Sequence, residues 1–103
     1  MIKVSVLYPN NAGSRFDIGY YCETHMPLVR RLVGPALRGM AIEHGIAGGA
    51  PGAPPPYQAM GHLLFDSVEA FQASFGPHTQ EIMGDIPNYT NIQPVIQISE
   101  VKL

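Results

Sequence analysis

The sequence predicts an α+β domain: a four-stranded antiparallel sheet with both helices on one face. Two observations carry that expectation. Apolar residues alternate with period two in four separate stretches, and in two intervening stretches they recur three and four residues apart behind a capping residue. The resulting order is strand, helix, strand, strand, helix, strand.

The first strand runs from Ile2 to Tyr8, with Ile2, Val4, Val6 and Tyr8 on one side and Lys3, Ser5 and Leu7 on the other. The turn cluster Pro9-Asn10-Asn11-Ala12-Gly13 ends it. Ser14 is expected to open the first helix, because Ser14-Arg15-Phe16-Asp17 has the serine-then-acid spacing of a capping box. That helix is read to Val33, before Gly34-Pro35. Ile18, Tyr21, His25, Leu28 and Leu32 then share a face, so an imidazole sits inside an apolar stripe. Pro27 lies within the same helix and should either bend it or break it in two.

Arg38 to Ile46 is the second strand, with Met40, Ile42, His44 and Ile46 on one face. Ala47 to Pro56, with three glycines and four prolines, is a connecting loop. Tyr57 to Phe65 is the third strand. Asp66 is expected to cap the second helix, with Glu69 three residues on and a stripe of Val68, Phe71 and Phe75. Gly76-Pro77 stops this helix, and residues 78–83 could add a further turn or two. Asp85 to Asn91 reads as a loop and Ile92 to Val101 as the last strand, with Pro94 marking a bulge or an edge. This is the split βαβ order of ferredoxin-like folds.

A chain of 103 residues fits one domain spanning residues 1–103. With 46% hydrophobic and 14% charged residues it is too apolar for disorder and sparsely charged for a monomer. Helices on one face leave the other face of the sheet bare, and residues such as Leu7, Met60, Leu64 and Val101 could populate it. A homodimer through that face is the expected solution. A net charge of −2 with six basic residues argues against nucleic acid. No segment is long and apolar enough for a membrane span, and the N-terminus lacks a signal-peptide layout, so the expected compartment is cytoplasmic. The single cysteine, Cys22, excludes an internal disulfide and reads as a small buried hydrophobe.

Among candidate functional residues His25 comes first. It is either a general acid/base facing a cleft between helix and sheet, or a buried neutral histidine completing the core. Tyr21, four residues earlier on the same face, either orients that histidine or a ligand, or simply packs. Tyr20 flanks the stripe and could contact a ligand. His62 and His44 lie on strands, and His62 lines the same cleft only if it points toward the helices. Tyr89 and Asn91 precede the last strand and could close over a pocket. The spacings of His25, His44, His62 and His78 match no short metal motif. No phosphate loop, nucleophile elbow or dinucleotide fingerprint is present, so chemistry without a nucleotide cofactor is expected.

Phe16, the pair Tyr20-Tyr21, the segment His25-Met26-Pro27-Leu28, the run Leu63-Leu64-Phe65-Asp66-Ser67 and the pair Pro94-Val95 together resemble the EthD family. These are small stand-alone dimeric α+β barrel proteins, and the resemblance spans nearly the whole chain. It implies an association with breakdown of ethers and aromatic compounds or with tailoring of aromatic polyketides. It also carries the functional histidine of related barrels onto His25. Two functions stand beside a purely structural role for His25. One is a cofactor-free enzyme moving a proton on a small apolar aromatic, lactone or carbonyl compound. The other is a small-molecule-binding or accessory protein that supports an oxygenase.

Overall fold

The computed structural model describes residues 1–103. Its elements are β1 (Ile2–Pro9), α1 (Ile18–Tyr20), a π-helical turn (Tyr21–His25), α2 (Met26–Val33), β2 (Gly39–His44), β3 (Tyr57–Phe65), α3 (Val68–Phe75), α4 (Thr79–Gly84) and β4 (Val95–Glu100). The strands form one antiparallel sheet in the order β2-β3-β1-β4, the ferredoxin-like α+β arrangement. No helix is long and apolar enough to cross a membrane.

Register divides the sheet into two faces. Val4 lies opposite Leu63 and Ile98, whereas Ser5 lies opposite His62 and Gln97. Because side chains alternate along a strand, Val4, Tyr8, Leu63 and Phe65 face the helices and are buried. Leu7, Met60, His62 and Leu64 face the other way and are only half-buried. Pro94 precedes β4, an edge strand, where its missing N–H costs little. β4 begins at Val95 rather than Ile92, because Ile92 turns into the core and its N–H is bound by the Thr90 hydroxyl. β2 stops at His44, and Ile46 is exposed.

The first helix begins later than its capping signal suggests. The Ser14 hydroxyl donates to the Asn11 carbonyl inside the preceding turn, and Phe16 pairs with Thr90 in an isolated bridge. Asp17 is the N-cap, and its carboxylate accepts the Tyr20 N–H at 3.0 Å. In the second helix Ser67, not Asp66, caps: its backbone is extended and its hydroxyl oxygen accepts the Ala70 N–H. Asp66 instead pairs with Arg38 at the surface.

Pro27 falls in the first turn of α2, where its absent N–H is not needed. Upstream, the π turn inserts one extra residue into the helical spiral. The inward face therefore advances by one position. Tyr21 and His25 are buried as expected, but Met26, Val29 and Val33 continue the stripe, and Leu28 and Leu32 are left half-buried. Met26→Ala should therefore cost about 2–5 kcal/mol of stability, and Leu28→Ala clearly less. Urea unfolding of the two variants would measure the difference; equal losses would contradict the shifted face.

Candidate active site

The π turn ends at His25 and delivers its imidazole to the core, only 4% exposed. Nδ1 lies 2.9 Å from Asp85 Oδ2. The other carboxylate oxygen, Oδ1, accepts the Tyr20 hydroxyl at 2.7 Å and the Asn88 side-chain amide at 2.8 Å. Burial acts to raise the Asp85 pKa, but the hydrogen bonds from Asn88, Tyr20 and His25 outweigh it and hold the carboxyl below its ordinary range. An ionised Asp85 fixes a proton on Nδ1 of His25. Burial pushes the His25 pKa down, against the opposite pull of Asp85. The result near neutral pH is an uncharged imidazole whose Nε2 carries a lone pair. Nε2 has no hydrogen-bond partner in the protein, yet no polar side-chain atom is both sealed and unpartnered. Nε2 is therefore accessible.

It is accessible from a cavity of about 350 Å³ between the helices and the sheet, lined by His25 among 18 residues. Val4, Val6 and Leu63 contribute from the strands, and Val29, Phe71 and Ile82 from the helical side. None of the lining residues is Lys, Arg, Asp or Glu. Tyr8 and Tyr21 add hydroxyl-bearing rings, and burial raises the pKa of both, so their hydroxyls remain protonated.

Tyr21 stacks beside His25, with ring centroids 5.6 Å apart and planes at 13°. Its hydroxyl lies over Gly61 of β3, where any Cβ would collide with it. A glycine in mid-strand is normally unfavourable; here it makes room for a tyrosine lying across the sheet. Tyr8, Phe16, Tyr21 and Tyr89 pack mostly edge to face around this point.

Of the residues singled out from sequence, the fold brings His25 and Tyr21 to the cavity. Tyr20 and Tyr89 do not line it. Tyr20 lies behind His25 and holds Asp85. Tyr89 is buried against the His25 ring, with centroids 4.6 Å apart, and its hydroxyl shares a 2.7 Å hydrogen bond with that of Tyr8. The segment carrying Tyr89 is core rather than a lid, and Asn91 ties it to the Gly13 carbonyl and the Arg15 N–H. His62 points to the open face of the sheet, because it pairs with Ser5 and not with a core residue. There it bridges Ser5 Oγ and Glu43 Oε1, each at 2.9 Å. His44 is exposed at the end of β2. Cys22, expected to be buried, is exposed on the outer side of the π turn. No group of three or more His, Cys, Asp or Glu side chains is placed to hold a metal ion.

Asp85 and Asn88 are absent from the sequence-based candidates. They are 60 or more residues from His25, and nothing local distinguishes Asp85 from a turn residue. The available hint was Asp-Ile-Pro-Asn itself, a short turn whose two polar ends meet.

A family model described as the EthD domain matches residues 14–93. The crystal structure of an EthD-like protein from Ralstonia eutropha JMP134 is 51% identical, covers 99% of this chain and 92% of its own, and superposes with a TM-score of 0.95. An ethyl tert-butyl ether D (EthD) family protein from Bacillus halodurans C-125 is 22% identical over 99% of each chain, with a TM-score of 0.67. An Arabidopsis thaliana protein shares the fold at 11% identity and a TM-score of 0.69, covering 100% of this chain and 97% of its own. No curated protein matches the chain in sequence.

Two consequences of this geometry are measurable. Gly61→Ala should displace Tyr21 and cost about 1–3 kcal/mol in urea unfolding; a neutral effect would mean that Tyr21 moves freely. The lowered His25 pKa means that the unfolded chain binds protons more readily than the folded one. Its contribution is complete above the ordinary value of 6.5 and is lost as pH falls from there toward the folded pKa. Unfolding midpoints should drop between pH 7.5 and 5.0, with a smaller drop in His25→Gln. Equal slopes in the two proteins would remove His25 as the cause.

Proposed function

The chain belongs to the EthD family, and on that premise we propose that it is a cofactor-free enzyme using His25 for proton transfer on a small, mostly apolar aromatic, lactone or carbonyl compound. Such a role would serve catabolism of these compounds or tailoring of aromatic polyketides. The observation that carries the reading is the pairing of His25 Nδ1 with Asp85 behind a cavity without other charged groups. In this scheme Nε2 accepts a proton from the bound compound. The imidazolium that forms faces an ionised carboxylate, and the same nitrogen returns the proton to another atom. Tyr21, on the same wall and stacked beside His25, orients the compound against the imidazole.

The alternative is a non-catalytic binding or accessory protein that supports an oxygenase pathway. The apolar lining alone would suit it. The His25–Asp85 pair favours catalysis, because proton transfer requires a positioned partner and mere binding does not.

The unit we propose is a homodimer joined through the open face of the sheet. Leu7 lies opposite Met60 on one side and Val95 on the other, which makes an apolar row across β3, β1 and β4. Val95 is 51% exposed in the single chain. Two copies related by a twofold axis would cover such a row.

Aromatic and lactone ligands should raise the melting temperature of the parent protein, and His25→Ala should lose much of that rise. Equal stabilisation of both proteins would sink the assigned role. With a turned-over substrate, His25→Ala should lower the rate by about 10²–10⁴-fold. Leu7→Glu should convert a dimer to a folded monomer in sedimentation, and an unchanged mass would refute the interface.

A further inference from the structure

Resting on the reading of the cavity as a ligand site, we infer that its ligand is uncharged and presents a weakly acidic O–H, a phenol or an enol, to Nε2 of His25.

The argument begins with hydrogen-bond polarity. Nδ1 is committed as a donor to Asp85, so the accessible Nε2 of the uncharged ring can only accept. The oxygen of a ketone, lactone or ether offers only lone pairs at that point, so such a compound meets Nε2 through a C–H at best and without a hydrogen bond. A hydroxyl on an aromatic ring or an enol supplies the missing proton. Charge narrows the class further. With no Lys or Arg among the lining residues, a carboxylate or phosphate finds no standing counterion, since His25 is uncharged until it takes up a proton, and with no Asp or Glu, neither does an ammonium. Gln72 and Thr79, from the α3–α4 side, tolerate a second neutral polar group. A volume of about 350 Å³ is at the small end for ligand sites.

The proton step balances within the site. The ligand O–H bond breaks, its proton joins Nε2, and the electron pair stays on the ligand oxygen. The resulting oxyanion lies beside an imidazolium whose other side faces Asp85, on a wall that carries no negative charge.

The hydrogen bonds around Asp85 make the selection reversible by design. Tyr20 and Asn88 both donate to Oδ1. In Asp85→Asn the amide oxygen must therefore remain at that position, and the amide NH₂ takes the place of Oδ2. It then donates to Nδ1, which moves the ring proton to Nε2. The site changes from acceptor to donor without any change in the cavity wall.

The test compares 2-naphthol with 2-methoxynaphthalene, and 4-nitrophenol with 4-nitroanisole, by calorimetry below the pKa of each phenol, with 2-naphthoate as the charged control. In the parent protein each phenol should bind about 10- to 100-fold more tightly than its methyl ether, and naphthoate should not bind. In Asp85→Asn the preference should shrink to near one or reverse. Equal binding of phenol and ether by the parent leaves the ligand site standing and overturns the selection. An unchanged preference in Asp85→Asn also overturns it, since Asp85 would then not set the polarity. Failure of every probe to bind removes the ligand reading and this inference together.

Discussion

The hydrogen bond between His25 and Asp85 organises this molecule beyond its own strength. A bond to a charged group contributes about 1.5–3 kcal/mol, which is modest for the whole domain. Its reach is larger, because it joins the first helical layer to a segment 60 residues away. That segment brings with it Asn88 and Tyr89, and it is held further by Tyr20 on the far oxygen of the carboxylate and by the Phe16–Thr90 bridge. The bond therefore fixes the ring orientation and its tautomer, and it joins other contacts in placing the last turn before β4.

The second constraint is the π turn. A regular helix with the same sequence would carry Leu28 and Leu32 inward after His25. The extra residue lets His25 and Met26 both point inward, and Val29 and Val33 follow. A single wide turn thus brings Tyr21, His25, Met26 and Val29 together on the cavity wall, while Val33 packs in the core beyond it. The arrangement also needs β3 to yield. Gly61 is the point at which the sheet gives way to the Tyr21 hydroxyl.

Much of this was legible in the sequence, for identifiable reasons. Alternation over Tyr57–Phe65 reports burial that local spacing encodes directly, whereas Val68, Phe71 and Phe75 are only half-buried, because the helix borders a cavity that Phe71 and Phe75 line. His25 and Tyr21 were visible for the same reason, as members of one helical face. Leu28 and Leu32 were misplaced because the sum of helical spacings assumes a constant turn, and no residue announces a π insertion. The Asp66 and Ser14 caps failed where two candidate residues stood within reach of one helix end and backbone geometry chose between them. His62 could not be placed because both sides of its strand carry apolar residues. Asp85 was invisible because its role depends on tertiary contact alone.

Asp85 also has a second aspect. Its side chain is 13% exposed, whereas that of His25 is 5% exposed. The imidazole thus has two unlike sides: an apolar chamber at Nε2 and a carboxylate in contact with the bulk at Nδ1. Water can reach the ring's proton only from the rear, through the carboxylate at Nδ1. A proton delivered to Nε2 inside the chamber has no such route, because the ring is held by Asp85 and does not carry it to the rear, so it stays available to the compound that gave it.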